Sequence, residues 1–408
     1  MAVTQTSTLS NARRIQYKPD YIRSGRRGRV YDQFATPISK DSPASAGAEA
    51  MAQLSQGGTV RVNYLSDMQI GTTSLSETSD IVPQTLVDAV IDVTVDMYGE
   101  AIQSSEKMLI ENYTNLGREH IFKVGMNAME SIDNLSLEAG LQGSLLQRVA
   151  ASRVLTDAGT AGHRLLDDTV WWLTARLAGF NVPQLMDPSI GGAWMALTDA
   201  FCIHDVSTAG DLVNVAQYQK GAILLNQELG KLGQFRFIST GKSKIFYGAG
   251  AENGTDVDTT LDGAVTALAT TIVVAANTNM AVGMWLNITE AKETGNTFYP
   301  HNERVKIAAV SGTTITVTGQ GDNGGLRFAH ASGATVDQDD SVHTCLFGFP
   351  GSLVKVWAPS IGQYGDIVIK QQGLANTWDS IAWKHWGGTG RTAEKLLYRW
   401  EGSVEEEA

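Results

Sequence analysis

The residues able to do acid–base, nucleophilic or metal chemistry are scattered along this sequence and not grouped in a known spacing. Its seven histidines include no H-E-x-x-H pattern and no pair four residues apart, the spacing that turns two imidazoles toward one zinc ion. They are His120, His163, His204, His301, His330, His343 and His385. No G-x-S-x-G segment exposes a nucleophilic serine. The sequence therefore predicts no catalytic residue, no metal ligand and no cofactor.

Cysteine chemistry is equally sparse. Cys202 and Cys345 are the only cysteines, too few for a disulfide framework and not arranged as C-x-x-C. Neither has the sequence context of a nucleophile. His204 stands directly before Asp205, but adjacent side chains of a strand point to opposite faces, which makes the pair a poor acid–base couple.

Two glycine-containing segments resemble phosphate-binding loops in part. Residues 319–324 fit G-x-G-x-x-G and follow a predicted strand, but the segment after them does not begin the helix whose amides would hold a pyrophosphate. Gly241-Lys242-Ser243 resembles the end of a P-loop, yet Arg236 occupies the place of its earlier glycine. Both segments are therefore interpreted as ordinary loops.

Two acidic clusters have the residue types of a calcium site without its spacing. They are Asp256, Asp258 and Asp262, and Asp337, Asp339 and Asp340. Neither has the central glycine and distal glutamate of an EF-hand loop. We interpret both as solvated acidic loops.

Composition favours a protein that buries surface in an assembly. Only 18% of the 408 residues are charged, against about 25% in typical soluble domains, so a monomer would be poorly protected from self-association. The net charge is -12, yet residues 1–30 carry seven arginines and lysines and one aspartate. A basic arm on an acidic body favours an acidic neighbour or nucleic acid as its contact. No signal peptide or run of about 18 apolar residues is visible, which predicts a soluble protein made in a cytoplasm.

The N-terminal part divides into an arm and a hairpin. Residues 1–55 show little periodicity and are interpreted as an extended arm. Residues 56–80 are interpreted as an extended hairpin loop, with one strand around Val60–Tyr64 and the other from Gln69 toward Leu75.

The following segment, 81–254, alternates strands and helices. Alternating apolar residues from Val87 to Met97 predict one half-buried strand ended by Gly99, and helical spacing from Leu116 to Leu137 predicts a long amphipathic helix. A second helix is expected from Asp167 to Gly179 and a third from Ile190 to Phe201. Residues 221–237 are expected to form a short helical turn, stop at Gly230 and Gly233, and leave as a strand.

Residues 255–342 differ from their surroundings. Short Thr/Val-rich runs lie at 271–275, 284–289, 304–310 and 313–318, with a two-residue hairpin turn in Val310-Ser311-Gly312-Thr313. Strands about ten residues apart without helices predict an inserted antiparallel barrel or sandwich. The body resumes at 343–408, with strands predicted at 353–357, 366–370 and 396–400. Tryptophans 357, 378, 383, 386 and 400 are interpreted as core and subunit-contact anchors.

The run GAILLNQELGKLGQFRF at residues 221–237 resembles a signature of the major capsid proteins of tailed bacteriophages. In that family two glycines precede an aromatic-Arg-aromatic run and follow a histidine segment, matched in type here by Phe201-Cys202-Ile203-His204-Asp205. Trp383-Lys384-His385 before a terminal strand makes the chain look most similar to the podovirus N-four-like members. The resemblance covers about residues 50–250 and 345–400.

The resemblance implies an α+β protein of the Hong Kong-type phage capsid fold, with arm, extended hairpin loop, spine helix, and peripheral and axial subdomains. Residues 57–79 would lie across a neighbouring subunit, 98–146 would hold the spine helix, and His204 with 221–237 would belong to the axial subdomain. Some capsids of this fold cross-link through a lysine in the extended loop. Residues 56–80 contain none, so non-covalent reinforcement is expected.

The function implied is that of a structural major capsid protein, not an enzyme, which self-assembles into the icosahedral shell around a tailed-phage genome. Implied partners are copies of the chain in pentamers and hexamers, with scaffold, portal and decoration proteins. Packaged double-stranded DNA would be contacted only non-specifically, and no membrane is involved. The implied location is the virion, after assembly in the host cytoplasm.

Two other functions compete with this reading. The first is a phage surface or tail protein that binds a receptor or glycan through residues 255–342. It predicts a trimer with a heptad seam in the long helix, and the apolar spacing from Leu116 does not sustain one. The second is an enzyme that uses Asp/Glu chemistry in a cleft without a recognisable motif.

Overall fold

The computed structural model describes residues 30–37, 58–65, 68, 70–71, 83–107, 116–157, 160–187, 191–208, 213–214, 228–250, 256–290, 301–321, 323–338, 341–348, 351–357, 366–372 and 378–404. Its described helices are α1 (Leu116–Leu141), α2 (Asp167–Gly179) and α3 (Ala200–Thr208). None of these is both long and apolar enough to span a membrane.

The described strands follow one another along the chain and vary from two to 14 residues. They are β1 (Ala35–Pro37), β2 (Thr59–Leu65), β3 (Asp88–Thr94), β4 (Asp96–Ser105), β5 (Leu146–Arg148), β6 (Leu185–Asp187), β7 (Gly191–Asp199), β8 (Val213–Asn214), β9 (Glu228–Leu232), β10 (Phe235–Thr240), β11 (Ile245–Phe246), β12 (Asp258–Thr260), β13 (Thr271–Val273), β14 (Trp285–Thr289), β15 (Glu303–Ser311), β16 (Thr314–Thr318), β17 (Thr335–Asp337), β18 (Val342–Gly348), β19 (Leu353–Trp357), β20 (Asp366–Gln372), β21 (Trp378–Arg391) and β22 (Leu397–Gly402).

The chain divides into two compact units. The first contains the described residues of Met1–Ala139 and Gly351–Thr392, and the second those of Gly140–Pro350 and Ala393–Ala408. Each unit therefore combines segments from distant parts of the sequence.

The first unit is built around the long strand β21. It pairs antiparallel with β4, β19 and β20, and β1 adds to β19 in parallel. Strand β21 is not among the strands predicted from the sequence. The tryptophans and closely spaced glycines of this segment do not alternate with polar residues as they would in a half-buried strand.

Helix α1 covers one face of this sheet. Its buried residues Ile121, Val124 and Ala128 pack against Ile367, Ile381 and Trp383, as expected for the apolar stripe of an amphipathic helix. Asn127 Oδ1 accepts a hydrogen bond from Trp383 Nε1 at 2.7 Å. The predicted long helix is thus confirmed, and it extends to Leu141.

The predicted strand over Val87–Met97 is two strands, β3 and β4, separated at Val95. Val93 and Val95 are buried as the alternation requires, whereas Met97 is 72% exposed. Gly99 does not end the strand but lies inside β4, where an added Cβ would come within 2.6 Å of Trp383 O. Gly99 is therefore needed because the backbone of β21 passes close to it, and not because it ends the strand.

The hairpin strand β2 pairs with β3, from Thr59↔Thr94 to Leu65↔Asp88. The sequence did not predict β3 as a partner of β2. Most of Gln69–Leu75 lies outside the described residues.

Part of the predicted arm is integrated into the first unit. Val30 and Tyr31 are buried, and the backbone amides of Val30 and Asp32 donate to Asp133 Oδ1 at 3.0 and 2.9 Å. Asp32 also forms a buried ion pair with Lys355. Residues 30–37 are thus held to α1 and β19, and the rest of the arm lies outside the described residues.

The second unit contains a nine-stranded mixed sheet of order β5-β22-β18-β7-β10-β9-β8, with β11 paired to β18 and β6 to β7. Helices α2 and α3 contribute Leu173, Leu177 and Cys202 to a core that contains Trp194, Phe235 and Phe347. The helix predicted over Ile190–Phe201 is wrong for its described part, which is β7 followed by α3. A central strand is buried on both faces and so lacks the alternation that separates strand from helix.

The glycine turn is a β-hairpin between β9 and β10. Gly233 has φ +58, as predicted for a tight turn. Gly230 lies in β9 opposite Phe237 and is not a turn residue. The helical turn expected before it falls on residues 221–227, outside the described ranges.

Strands β12–β17 form an antiparallel sheet of their own, in the order β12-β17-β14-β15-β16-β13. A bridge between Leu261 and Val274, with hydrogen bonds from Asp262 N to Val273 O and from Ala275 N to Thr260 O, both 2.9 Å, joins the two ends. The sheet is therefore a closed six-stranded barrel around an apolar core. Gly312, at φ +61, makes the predicted turn between β15 and β16.

The end of β22 carries a buried charge cluster. Glu401, 1% exposed, accepts hydrogen bonds from Arg148 at 2.8 Å and from Arg153 at 2.7 and 2.9 Å, and Arg399 Nε lies 3.1 Å from it. Burial alone raises the pKa of Glu401, but the hydrogen bonds of Arg153 and Arg148 and the charges of Arg399 and Arg153 bring it below its ordinary value.

We expect Gly388→Ala to destabilise the first unit by roughly 1–3 kcal/mol, because overpacking strains a fixed backbone. An added Cβ would meet Thr94 O at 2.0 Å. Gly58→Ala is the matched control, since its Cβ would meet nothing within 4 Å. Urea unfolding measures both, and equal stability of the two variants would contradict the packing described.

Glu401→Gln should cost roughly 3 kcal/mol of unfolding free energy at neutral pH, because it leaves buried guanidinium groups without their counter-charge. The stabilisation of a carboxylate with a lowered pKa is complete above its ordinary value of 4.5 and is lost as pH falls through the folded value. The difference from the unsubstituted chain should therefore shrink as the pH is lowered below 4.5. Unfolding curves at several pH values test this. Glu394→Gln, at an exposed carboxylate that accepts hydrogen bonds from Ser144, should change stability by less than about 1 kcal/mol.

Candidate functional site

The sheet of the first unit has one face that α1 does not cover. Along β21 the buried residues Ile381, Trp383 and His385 alternate with residues on the other side. That side, here called the open face, comprises Met97, Ala101, Gln103, Val368, Lys370, Trp378, Ser380, Ala382, Lys384 and Trp386. The alternation follows from the two-residue period of a strand.

Large apolar side chains are exposed at both ends of the open face. Met97 is 72% and Trp386 40% exposed, and the two residues are cross-strand partners. Trp378 is 49% exposed and lies opposite Ser105. Between these ends a shallow depression is lined by small and polar side chains with Lys370 and Lys384. These exposed apolar side chains make the open face a candidate contact surface for another macromolecule.

The tryptophans of the C-terminal part thus divide into two groups. Trp383 and Trp400 are 2% and 0% exposed, which confirms the predicted core role for these two. Trp378 and Trp386 lie on the open face, where a contact role remains a prediction.

The barrel joins the body of the second unit through an aromatic and cationic cluster. Phe201 of α3 meets Trp285 of β14 edge-on, with centroids 6.3 Å apart. The Arg304 guanidinium lies 4.7 Å from the Phe201 centroid and 4.3 Å from that of Trp285. Such cation–π contacts gain strength when they are desolvated, and Arg304 is 4% exposed.

Next to this junction the structure brings together Asp199, Cys202 and His343. Their ligand atoms lie within 4.8 Å of one another, and all three residues are buried. His343 Nδ1 lies 2.8 Å from Asp199 Oδ2. The sequence did not predict that these residues meet, because more than a hundred residues separate His343 from the other two. The only available signals were the short Asp199-x-x-Cys202 and His343-x-Cys345 spacings.

Burial first of all, then the thiol of Cys345 and the charges of Asp199 and Asp205, raises the pKa of Cys202 well above its ordinary value. A thiol with a raised pKa stays protonated at neutral pH and is a poor nucleophile. Both cysteines are free. The cluster therefore has the donor atoms of a metal site but not the reactivity of a catalytic cysteine.

The other histidines are spread over the two units. His330 Nε2 lies 2.8 Å from Glu303 inside the barrel, and His120 lies 3.0 Å from Ser104. His163 accepts from Asp157 N at 3.0 Å, and His301 is 3.8 Å from Glu290. Burial, with the charge of Lys355, lowers the pKa of His385 to about 4, against the opposing charge of Asp32.

His204 lies on a helix, so the strand geometry expected for it is wrong. Its side chain is 67% exposed while that of Asp205 is 2% exposed, and the two are 3.7 Å apart. The imidazole of His204 therefore lies at the surface, and the carboxylate of Asp205 lies in the interior.

Neither candidate phosphate loop is followed by a helix in the described structure. Gly241 and Lys242 form a turn after β10, and the chain then enters β11. In the other loop, a Cβ on Gly319 would come within 2.6 Å of Gly325 O, and Leu326 N donates to Ala269 O at 2.8 Å. Glycines there allow backbone to pack on backbone, which confirms an ordinary barrel loop.

The acidic residues of the barrel do not gather around one point in the described structure. Asp258 and Asp337 are cross-strand partners of β12 and β17, and Asp262 follows β12 in a bend. Asp339 and Asp340 lie outside the described residues.

No protein-family model matches this chain, and no curated protein sequence matches it. Solved structures do. The capsid of Ralstonia phage GP4 is 9% identical, with a TM-score of 0.54 over 93% of this chain and 92% of that chain. The capsid of Cyanophage P-SCSP1u is 8% identical, with a TM-score of 0.50 over 93% of this chain and 89% of that chain. The predicted α+β class is confirmed, and this chain adopts the Hong Kong-type phage capsid fold.

Proposed function

We propose that this chain is the major capsid protein of a tailed bacteriophage and self-assembles into the icosahedral shell around the genome. The observation that carries the proposal is the likeness to the GP4 capsid, which spans 93% of this chain and 92% of that one. A likeness over this share of the chain takes in residues of both units. The role is structural and not enzymatic.

The open face supports self-association. Its occupant is a second copy of this chain, because a shell made of one protein covers its apolar surfaces with copies of itself. Burial of roughly 80 Å² of apolar surface around Trp386 and Met97 would contribute about 2 kcal/mol per contact. Contacts of this size are individually weak, so subunits that bind wrongly dissociate while the closed shell accumulates many of them.

The predicted domain organisation is part of the proposal. The arm at 1–55, apart from residues 30–37 that pack within the first unit, and the extended hairpin loop at 56–80 reach neighbouring copies, and 81–254 with 343–408 form the capsid body. Residues 255–342 are an inserted barrel, supported by strands β12–β17, which pair with each other in one sheet. The chain forms pentamers and hexamers and works with scaffold, portal and decoration proteins.

The virion is the proposed location, with assembly in the host cytoplasm. Packaged double-stranded DNA is contacted only non-specifically, because a net charge of -12 repels phosphates and leaves few cations for tight binding. The receptor- or glycan-binding alternative is not favoured, since the likeness to capsid proteins covers the whole body and not the barrel alone.

Electron microscopy and sedimentation of the purified chain, alone and with its phage neighbours, test the proposal. We expect closed shells, or pentamers and hexamers that assemble further. A stable monomer that forms no particle under any of these conditions would overturn it.

The double variant Met97→Ser/Trp386→Ser should remove about 2 kcal/mol per contact, which raises the concentration needed for assembly about thirty-fold. Its circular dichroism should match that of the unsubstituted chain, because both side chains lie on the open face and neither belongs to the core under α1. Val273→Ser on the barrel, at a residue 38% exposed, is the control and should leave assembly unchanged. Normal assembly of the double variant would exclude the open face as a subunit contact.

A further inference from the structure

The cluster of Asp199, Cys202 and His343 combines the three donor types that bind transition metals. A carboxylate oxygen, a sulfur and an imidazole nitrogen lie within 4.8 Å of one another. The residues are 3%, 0% and 0% exposed. Sulfur and imidazole together favour zinc over the oxygen-preferring calcium and magnesium ions.

The fold creates this cluster at a junction between strand and helix. Strand β7 ends at Asp199 and α3 begins at Ala200, so Cys202 lies in the first turn of the helix. Strand β18 runs antiparallel beside β7, with Leu346 opposite Leu197. This pairing carries His343 back to the end of β7. Three separate elements therefore converge on one point.

A fourth donor belongs to the same strand. His343 and Cys345 are two residues apart on β18 and so face the same side. The Cys345 thiol is close enough to Cys202 to raise the pKa of that thiol, and Cys345 is fully buried. Zinc in structural sites takes four protein ligands in a tetrahedron, with Zn–S about 2.3 Å and Zn–N or Zn–O about 2.0–2.2 Å. Such distances place neighbouring donor atoms about 3.3–3.8 Å apart. The donor atoms of Asp199, Cys202 and His343, now within 4.8 Å of one another, would therefore draw together around the ion, and the Cys345 thiol would turn toward them.

We propose that Asp199, Cys202, His343 and Cys345 form a structural zinc site. All four ligands are enclosed, with no place left for a substrate, so the role is structural and not catalytic. The ion would enter while the unit folds and would tie β7, α3 and β18 together. This inference is independent of the proposed shell function.

The barrel contains a useful internal comparison. His330 Nε2 also lies 2.8 Å from a buried carboxylate, that of Glu303. That carboxylate accepts further hydrogen bonds from the amides of Arg327 and Phe328, at 2.7 and 3.1 Å. Glu303 is thus satisfied by hydrogen bonds alone, and neither of the chain's cysteines, both on the body, belongs to this pair. The thiols distinguish the proposed site from an ordinary buried His–carboxylate pair.

A zinc ion would stabilise the attachment of the barrel. Residue 341 ends the barrel segment and β18 begins at Val342, one residue before His343. Phe201, next to Cys202, contacts both His343 and Trp285, with centroids 6.1 and 6.3 Å apart. The ion would therefore fix the point at which the barrel leaves the body.

The test uses the full, untagged chain, so that no affinity tag contributes histidines. After expression with zinc in the medium, elemental analysis of the purified protein should find about one zinc per chain. The chain refolded with Co²⁺ should show a thiolate-to-cobalt charge-transfer band in the near ultraviolet. Less than about a tenth of an ion per chain, together with no such band, would overturn the proposal.

Variants locate the ion. Cys202→Ser should lose most of the zinc and weaken the charge-transfer band, whereas His330→Gln should keep both. Equal loss in the two variants would contradict the assignment. If Cys202→Ser does not fold, the cobalt spectrum of the unsubstituted chain still decides, because only a sulfur-ligated metal gives the charge-transfer band. The readouts are metal content and spectrum, so failure here leaves the test of shell assembly unaffected.

Discussion

The pairing of β21 with β4, β19 and β20 is the interaction on which the first unit depends. Strand β21 is 14 residues long and pairs with β4, β19 and β20. Without β21, the sheet that α1 covers would lose its central strand. The glycines at its C-terminal end are part of that constraint. A Cβ on Gly388 or Gly390 would come within 2.0 Å of Thr94 O or 2.7 Å of Val93 Cγ2, so only a strand without side chains there lets the hairpin ladder approach.

In the second unit, a buried charge cluster constrains the position of a strand. Its last strand, β22, runs beside β18 and β5 and carries Glu401 into contact with three arginines. A carboxylate at such a place is stable only if its partners are present, since an unpaired buried charge costs several kcal/mol. The cluster therefore selects one register of the last strand. In both units the C-terminal segment must return before the sheet is complete, which makes long-range contacts essential to this fold.

The proposed function depends on the surfaces of the protein and not on a reactive pocket. The open face presents tryptophan and methionine at its ends and lysines between them, on the side of the sheet opposite α1. The barrel is attached through a small aromatic and cationic cluster and has a closed, filled core. Both features suit the proposed shell function, in which copies of the chain contact one another.

The sequence by itself determined the elements whose signals are local: the spacing of α1, the start and stop of α2, the turn at Gly312 and most barrel strands. It also carried a resemblance specific enough to predict the fold. Only the tertiary structure decided the partner of β2, the strand nature of β7 and β21, and the meeting of Asp199 and Cys202 with His343. The reason is physical. A strand buried on both faces loses its alternation, and a cluster built by sheet register joins residues whose separation in the chain leaves no periodic trace.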